Sequence, residues 1–545
     1  MCRGLSRPSL ASSGSCGAVI AGRLRTGFGC AALAVSCVVM GQGCGTGGAS
    51  DRADAKGPGS GADDASNGSG HEPDSNSWIE SGAPAGVDGS APDRASRSDV
   101  GTDAPDARAA ADGGGGGAED AVGAGDSGTR TDARAGPNPG EADGGDPCGA
   151  GNPAVVPLPV IGPATLDVTT YGAVGDGATE DTTAIQAALT AAATAGGGWV
   201  TVPAGTFLSG PIVLGDGTRL DLAEGAVLKM LPMSRWPAAT PFITANNAHD
   251  VAITGAGIIE GQGQDWWNAL TATPTLTRPQ EVDITNSTRV QISGIRLQNP
   301  PEEHVWVKAD IDVTVTGITI ETLAVSGQHA PNNTDGVDIS AKGVFFCGNS
   351  IACGDDNVVM SGSAIYVGYS NLGVGHGCTI GSITQNGVNG VTVDHVTFNG
   401  TTSGIRMKSA RGRGGLVENI SYSNITMTNV QNPVFITSYY PSLPTDPTTD
   451  PAQAVTTTTP EWQKITITNL SAVGSTMGGT LWGLPEAPIA QVVFDNVSIQ
   501  AKQPMEIFHA TGISFVNGSK VTVTPASAVV TFDAAVSGIA TRAFP

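Results

Sequence analysis

The sequence predicts an all-β fold, a right-handed single-stranded parallel β-helix with one capping helix at its N-terminal end. Short runs rich in Val, Ile and Thr alternate apolar with polar residues and turn at Gly or Asn. One such run, VQISGIRL at 290–297, reappears 23 residues later as VTVTGITI at 313–320. A single strong helical pattern precedes these runs. Together these three observations are typical of a β-solenoid.

Further runs of the same kind begin later in the chain and extend the repeat, at Val251, Val391, Ile420 and Ile465. One coil of such a fold cannot bury its apolar side alone, so stacking of the coils supplies a continuous core. The open end of the stack exposes strand edges that need a cover. The Ala-rich segment 181–195 follows acidic residues and ends at three glycines, so we expect a helix that covers the N-terminal end.

Composition divides the chain into three predicted parts. In residues 1–44, Arg23 and Arg25 precede an apolar run at 28–40 that is too short to span a bilayer and is typical of a signal peptide. Cys44 follows that run as in a bacterial lipoprotein processing site, so it is a candidate lipid anchor. Free secretion after ordinary cleavage is the alternative. Both readings predict export from the cytoplasm.

Residues 45–160 are predicted to be a disordered acidic linker. Positions 51–150 carry 20 acidic and 7 basic residues, and Trp78 is their only aromatic residue. Such a segment cannot bury enough apolar surface to offset the entropy of ordering. Residues 161–545 then form the predicted β-helix domain. Its mild acidity argues against nucleic acid as a partner, and we expect a monomer.

Four cysteines remain beyond the signal region, namely Cys148, Cys347, Cys353 and Cys378. Their spacing matches no zinc-site pattern, and we predict no metal or other cofactor. In an oxidising compartment a disulfide among the last three is one expectation, and stacked buried thiols are the other.

Four polar clusters interrupt the strand pattern, at 333–336 (NTDG), 354–357 (GDDN), 375–377 (GHG) and 406–408 (RMK). From Asp335 to Asp355 is 20 residues, from Asp355 to His376 is 21, and from His376 to Arg406 is 30. Positions one coil apart lie side by side in a parallel solenoid, roughly 4.8 Å apart. The spacing therefore predicts that three carboxylates, an imidazole and two cations share one face.

Closely stacked carboxylates cannot all ionise freely, so at least one pKa is expected to rise. Glycoside hydrolysis uses one protonated and one ionised carboxyl. Asp355 and Asp356 are adjacent in sequence, and only a turn or bulge aims both at one cleft. In a solenoid, a single Asp or Asn cluster usually marks a turn. Four clusters at consecutive coil spacings favour a catalytic site instead.

These clusters resemble the signature of the polygalacturonase family (glycoside hydrolase family 28): Asn-Thr-Asp, Gly-Asp-Asp, Gly-His-Gly and Arg-x-Lys. The resemblance covers roughly residues 164–545 and implies hydrolysis of galacturonosidic bonds in pectin with inversion. It implies that Asp355 is the general acid and that Asp335 and Asp356 activate the attacking water. His376 is then expected beside the acid.

The resemblance also implies a set of substrate-binding residues: Asn333 within the signature, Arg406 and Lys408 for a galacturonate carboxylate, and Tyr440 as a stacking ring. Tyr439 is the competing choice for the stacking ring. The chemistry agrees, because a guanidinium and an ammonium group both suit a carboxylate. Asn357 stands where many members of the family have a cysteine, which puts the usual disulfide there in doubt.

Three alternatives remain open from the sequence. A rhamnogalacturonan or xylogalacturonan hydrolase would share the family, and a calcium-dependent pectate lyase would share the fold. A polysaccharide-binding surface solenoid would have no activity. Loops such as 441–461 are expected to decide between cleavage inside the polymer and cleavage from its end.

Overall fold

The computed structural model describes residues 146–149, 151–322, 332–524 and 530–532. The predicted signal peptide, the candidate anchor Cys44 and the linker up to residue 145 lie outside the described residues. Among the described helices, none is long and apolar enough to cross a membrane.

The described part contains two α-helices, three short 3₁₀ helices and 31 strands. The helices are α1 (Thr182–Thr194) and α2 (Gln264–Ala272), with 3₁₀ turns at Val168–Tyr171, Met233–Arg235 and Pro447–Thr449. The first strands are β1 (Ala164–Asp167), β2 (Asp176–Glu180), β3 (Gly198–Val202), β4 (Gly205–Ser209), β5 (Ile212–Val213), β6 (Thr218–Leu222), β7 (Ala226–Met230), β8 (Ile243–Asn246), β9 (His249–Gly255), β10 (Ile258–Glu260), β11 (Val282–Thr285), β12 (Thr288–Ser293), β13 (Arg296–Gln298), β14 (Val305–Thr316) and β15 (Thr319–Glu321).

The remaining strands continue the same winding. They are β16 (Val337–Cys347), β17 (Ser350–Ala352), β18 (Val358–Gly368), β19 (Asn371–Leu372), β20 (Cys378–Ile380), β21 (Val388–Asp394), β22 (Thr397–Asn399), β23 (Ser403–Lys408), β24 (Leu416–Thr428), β25 (Asn432–Thr437), β26 (Glu461–Trp482), β27 (Ile489–Phe508), β28 (Ala510–Thr511), β29 (Ser514–Val516), β30 (Lys520–Val523) and β31 (Val530–Phe532).

Every strand pairs in parallel with the strand one coil away, which confirms the predicted parallel β-helix. The two runs that revealed the repeat are direct neighbours, since Val290 pairs with Val313 and Ile292 with Val315. One row of core side chains runs through twelve coils in register: Val200, Leu220, Ile253, Ile292, Val315, Phe346, Val367, Val393, Tyr422, Ile467, Phe494 and Phe515. Burial of this row supplies the apolar driving force for stacking.

One of the three parallel sheets, here called sheet C, carries the polar clusters. It consists of β5, β8, β11, the first parts of β14, β16 and β18, then β20, β23, β25, the last parts of β26 and β27, and β31. In β16 the residues alternate between core and exterior, with Val337 and Ile339 buried and Asp338 and Ser340 outside. Every second residue of each strand therefore points outward, and the outward residues of paired strands line up in rows across the exterior of sheet C.

Helix α1 matches the predicted capping helix, one residue shorter at each end. Ile185, Leu189 and Ala192 are fully buried against the first coils. Asp181 precedes the helix but does not cap it. Its carboxylate instead accepts hydrogen bonds from the backbone N–H groups of Val174, at 2.7 Å, and Gly175, at 3.2 Å.

Helix α2 was not predicted, because nine residues are too few to show a helical period. Its Trp266 and Trp267 are buried, and Trp267 donates its indole N–H to the carbonyl of Pro300 at 3.0 Å. The helix is thereby attached to the turn that leads into β14.

The expected disulfide among Cys347, Cys353 and Cys378 is wrong. Cys347 pairs with Cys148, 199 residues earlier, while Cys353 and Cys378 are buried free thiols. Both free thiols face the core, whereas Cys347 ends β16 beside the N-terminal segment. That segment also donates the N–H of Val160 to Asp250 at 2.8 Å. Residues 151–160, the end of the predicted linker, are among the described residues and contact the body through Val160.

We expect Phe494→Ala to lower the free energy of unfolding by about 3–5 kcal/mol, because a large cavity would remain in the stacked core. Phe494 is fully buried and stacks on Phe515 with ring centroids 4.5 Å apart. Val516→Ala, on the exposed side of β29, is the matched control. Chemical denaturation checks both variants, and an equal effect would contradict the continuous core.

Candidate active site

The predicted acidic residues and His376 come from the turns that precede three successive strands of sheet C, while Arg406 and Lys408 lie within β23. Residues 333–336 lead into β16, residues 354–357 into β18 and residues 375–377 into β20. The turns continue the ladder of the coils, because Gly336 N–H donates to Asp356 O at 2.9 Å and His376 N–H to Asp355 O at 2.8 Å. Stacking of whole coils thus sets the spacing of the acidic residues.

Asp355 is held by hydrogen bonds from three directions and is 1% exposed. Its Oδ2 accepts the backbone N–H of Asn333 at 2.8 Å, and its Oδ1 accepts that of Asp356 at 2.9 Å. The Nδ1 of His376 lies 2.9 Å from the same Oδ1. Asn333 has φ of 61°, a left-handed conformation that asparagine tolerates and that aims its N–H at the carboxylate.

Asp356 is paired with both cations of the site. Its Oδ1 accepts from Arg406 and, at 2.6 Å, from the hydroxyl of Thr379, and its Oδ2 lies 3.2 Å from Lys408 Nζ. Arg406 and Lys408 are each 3% exposed, so the ion pairs are screened little by solvent. Arg406 Nη1 also lies 3.2 Å from His376 Nδ1.

The cations decide the ionisation of these two carboxyls. Burial acts to raise the pKa of Asp355, but the hydrogen bond and charge of His376 outweigh it and lower the pKa. Burial also acts to raise the pKa of Asp356, but the charges of Arg406 and Lys408 lower it. Both groups are therefore carboxylates at neutral pH.

The raised pKa that the sequence led us to expect is found at Asp335. Burial raises the pKa of Asp335 well above its usual range, and the nearby carboxylates of Asp338, Asp355 and Asp356 add to this. Burial, together with the carboxylates of Asp356 and Asp355, raises the pKa of Asp338 to about 8. Oδ1 of Asp335 and Oδ1 of Asp338 are buried without a hydrogen-bond partner among the described residues.

Asp335 and Asp338 are close enough for a carboxyl–carboxyl hydrogen bond. Such a bond needs one proton, since two carboxylates offer acceptors only. The site therefore contains two ionised carboxylates beside a pair that retains a proton at neutral pH. This arrangement separates a protonated from an ionised function within one cluster.

Arg278 fixes the turn that carries Asn333 and Asp335. It is 3% exposed and donates to the carbonyl of Asn332 and to that of Pro301, both at 2.8 Å. It also lies 3.6 Å from Glu302. The guanidinium joins two neighbouring turns beneath the site and balances the acidic groups there.

Asn357 connects two turns of the site by hydrogen bonds. It is fully buried, donates to the carbonyls of Ile351 and Val374 at 3.3 and 3.1 Å, and accepts the N–H of Gly377 at 2.7 Å. Gly377 has φ of 83°, and a Cβ there would lie 2.2 Å from the carbonyl of Ser403. Asn357 thus ties the acidic turn to the turn of His376 without a disulfide.

Tyr440 lies beside the cations, with Lys408 Nζ 4.7 Å from its ring centroid. Tyr439 faces elsewhere and donates its hydroxyl to Asp450 at 2.9 Å. Arg411 forms paired hydrogen bonds with both Asp450 and Glu486. These contacts tie the loop 441–461 to the body next to Tyr440.

The structure brings the predicted residues together in one connected group: Asn333, Asp335, Asp355, Asp356, His376, Arg406, Lys408 and Tyr440. Sequence reasoning missed Asp338, Thr379 and Arg278. Strand alternation after Asp335 could have revealed Asp338, which is the first outward residue of β16. Thr379 pairs with Arg406 one coil later, but their spacing of 27 residues is longer than that of the acidic turns and hides the relation.

Asp355, Asp356 and His376 also offer ligand atoms within 4.8 Å of one another. Arg406, Lys408 and Thr379 already occupy the oxygens of Asp356. The cluster therefore has its charge balanced by side chains. Arg406 and Lys408 also give the site two buried cations beside the carboxyl groups.

Comparison with known proteins agrees with this geometry. The family model described as glycosyl hydrolases family 28 matches residues 197–517, more than half of the chain. The chain belongs to glycosyl hydrolases family 28. All four clusters lie within the matched range, as do the strands of sheet C from β5 to β27.

Individual family 28 relatives are moderately similar to the chain. An endo-polygalacturonase of Pectobacterium parmentieri is 33% identical over 270 residues, 43% of this chain and 65% of the relative. A polygalacturonase of Chamaecyparis obtusa is 29% identical over 293 residues, 50% of this chain and 56% of the relative. In both alignments the chain spans less than two thirds of the relative's length. The solved polygalacturonase from Erwinia carotovora is 27% identical to this chain with a TM-score of 0.50, and the alignment covers 70% of this chain and 96% of that protein.

We expect Asp338→Asn to flatten the dependence of stability on pH. An unfolded aspartate titrates near 4, and Asp338 in the folded protein near 8. Between these values the folded protein holds a proton that the unfolded chain has lost, so stability falls as pH rises. The variant should remove a slope approaching about 1.4 kcal/mol per pH unit. Unfolding free energies from pH 4 to 8 check this.

The control is Asp176→Asn. Hydrogen bonds from Thr179 and Ala178 lower the pKa of this exposed carboxyl. Its loss should alter the stability curve only in the acid range, below the titration of an ordinary aspartate. Parallel curves for the wild type and Asp338→Asn between pH 4 and 8 would contradict the proton held by Asp335 and Asp338.

Proposed function

We propose that this family 28 protein hydrolyses α-1,4-galacturonosidic bonds in polygalacturonate, the acidic backbone of pectin. The observation that carries the proposal is the contact of a buried carboxylate cluster with Arg406 and Lys408. Acid–base groups and carboxylate-binding cations meet there within one site. The endo-polygalacturonase of Pectobacterium parmentieri, which is 33% identical, supports the same substrate class.

Asp355 is assigned as the proton donor to the glycosidic oxygen, and Asp335 and Asp356 as the groups that hold and activate water, with inversion. Asp355 must be protonated to act as the donor, so bound substrate has to raise its lowered pKa. A bound galacturonate chain is a polyanion, and its charge raises the pKa of a neighbouring carboxyl. Sharing Lys408 with the sugar carboxylate would weaken the cationic field at the acid and act in the same direction.

His376 is assigned to orient Asp355 and to deliver its proton. Its Nδ1 lies 2.9 Å from Asp355 Oδ1, and its side chain is 16% exposed. From this position the imidazole can pass a proton to Asp355 after each turnover. Its second contact, with Arg406, fixes the ring between donor and substrate-binding groups.

Two alternatives have less support. A pectate lyase would place calcium in the acidic cluster, but Arg406 and Lys408 already neutralise Asp356 there. A binding solenoid without activity would not need carboxyls divided into ionised and protonated pairs. For the xylogalacturonan-type hydrolases, we assign none of the described residues of the site to a side-chain sugar.

Polygalacturonate tests the proposal. The wild type should release reducing sugar in the presence of a strong chelator, without an unsaturated product that absorbs in the ultraviolet. Asp355→Asn should reduce the rate about 10²- to 10⁴-fold, the usual contribution of a general acid, while circular dichroism and the unfolding midpoint stay unchanged.

Asp495→Asn, a carboxyl on a distant coil, is the matched control and should keep full activity. An Asp355→Asn variant with near-normal rate would contradict the assigned acid. Loss of wild-type activity with the chelator, together with an absorbing product, would instead indicate a lyase.

We further propose that the protein is exported and attached to a membrane through a lipid on Cys44. The apolar run before Cys44 supports export, and the Cys148–Cys347 disulfide is typical of an oxidising compartment. A bacterial host given a labelled fatty acid should label the wild type and not Cys44→Ala. Unlabelled wild-type protein free in the medium would contradict the lipid anchor and would support free secretion instead.

A further inference from the structure

Asp338 lies within the catalytic cluster, although it belongs to none of the four polar clusters of the sequence. It follows Asp335 by three positions and is the first outward residue of β16. Strand pairing places it in the outward row that continues two coils later to Thr379 and then to Arg406. Its carboxyl group is therefore on the same side of sheet C as these two partners of Asp356.

Asp335 and Asp338 are joined by a hydrogen bond between their carboxyl groups. This bond requires one proton, because an ionised carboxyl can only accept. One oxygen of each group, Oδ1, is buried without a hydrogen-bond partner among the described residues. Buried polar atoms are nearly always hydrogen-bonded, so two such oxygens side by side are suited to accept from a polar ligand such as an attacking water.

The surroundings keep a proton on this pair. Burial raises the pKa of Asp338 to about 8 with the help of neighbouring carboxylates, and the hydrogen bond from Asp335 and the charge of Lys408 oppose that rise only in part. Burial also raises the pKa of Asp335 well above its usual range. The charged and titratable groups that face the pair are Asp355, Asp356, Glu303, Arg278 and Lys408.

Asp356, the other group assigned to the water, is the weaker base. Its Oδ1 accepts from Arg406 and Thr379, and its Oδ2 lies 3.2 Å from Lys408 Nζ. Burial acts to raise its pKa, but the two cations lower it. A carboxylate with a low pKa takes up a proton poorly, so Asp356 is suited to hold the water and the neighbouring pair is suited to take its proton.

We propose that Asp338 shares one proton with Asp335, and that this dyad accepts the proton of the attacking water through Asp335. The inference rests on the proposed function, within which it assigns the base. Asp338 acts through Asp335 and is therefore a positioning residue.

The proton balance of the step is as follows from these assignments. Asp355 gives its proton to the glycosidic oxygen as the bond to the anomeric carbon breaks. The water oxygen bonds to that carbon, and the water proton passes to the dyad. The dyad then holds two protons and releases one to solvent, while Asp355 regains one through His376.

The test compares the pH dependence of kcat and KM on polygalacturonate for the wild type and Asp338→Asn. Two interacting carboxyls titrate in two steps, one below and one above the value for either group alone. Without its partner carboxyl, Asp335 should ionise later, and the fall of kcat at acid pH should move to higher pH by about one unit. The amide can still donate a hydrogen bond to Asp335, so the base itself remains.

The same variant should also change KM at alkaline pH. The wild-type dyad gains its second negative charge near pH 8, and this charge repels a polyanionic substrate, so KM should rise there. In Asp338→Asn that rise should be absent. A residue with a merely structural role would not move either feature.

The matched control is Asp310→Asn. Burial raises the pKa of Asp310, which is 1% exposed on β14, to about 7, and its carboxyl accepts the N–H of Ser287. Its substitution should alter the pH dependence of stability and leave both kinetic features unchanged. If the kinetic pH profiles of Asp338→Asn match those of the wild type, the dyad is overturned while the proposed function stands.

A binding measurement separates the two proposals without hydrolysis. Titration calorimetry of a galacturonate oligomer with Asp355→Asn, in buffers of different ionisation enthalpy at pH 8, reports the protons taken up on binding. The polyanion should drive proton uptake by the dyad, and Asp355→Asn carrying Asp338→Asn should show less uptake. Equal uptake by both variants would overturn the shared proton. A wild type that binds the oligomer but hydrolyses none of it would instead overturn the proposed function and the dyad's part in it.

Discussion

The register between neighbouring coils is the constraint on which the site depends. Each coil hydrogen-bonds in parallel to the next, and the core row from Val200 to Phe515 holds that register through burial. This register alone places residues 20 or 21 positions apart in sequence side by side, and no additional contact between them is needed. The site is therefore as rigid as the stack itself, and its geometry is set by sheet C and by the turns that lead into it.

The stacking of the coils also brings carboxyl groups close enough to repel one another when they are ionised. Four carboxyls are packed into one region, and the protein resolves their repulsion in two ways. Arg406, Lys408 and His376 keep Asp355 and Asp356 ionised, while Asp335 and Asp338 have raised pKa values and retain a proton. In the proposed function the same cations also bind a sugar carboxylate, and substrate binding and proton distribution are then coupled. That coupling is how a buried acid with a lowered pKa could become a donor.

Much of this could be predicted from sequence, because a parallel solenoid turns sequence spacing directly into spatial distance. The repeat at 290–297 and 313–320 was sufficient to place Asp335 beside Asp355, and the adjacent Asp356 required the turn that the structure contains. Contacts that cross coils of unequal length could not be predicted. The Cys148–Cys347 disulfide, Thr379 and Arg278 depend on loops of variable length, and pKa values depend on burial that spacing does not reveal.

The most direct measurement is a crystal structure of Asp355→Asn with a bound galacturonate oligomer. The account predicts that the oligomer lies along the exterior of sheet C, with one sugar carboxylate bound by Arg406 and Lys408 and the adjoining glycosidic oxygen next to residue 355. An oligomer bound on another face of the solenoid, or one whose carboxylates avoid both cations, would contradict it.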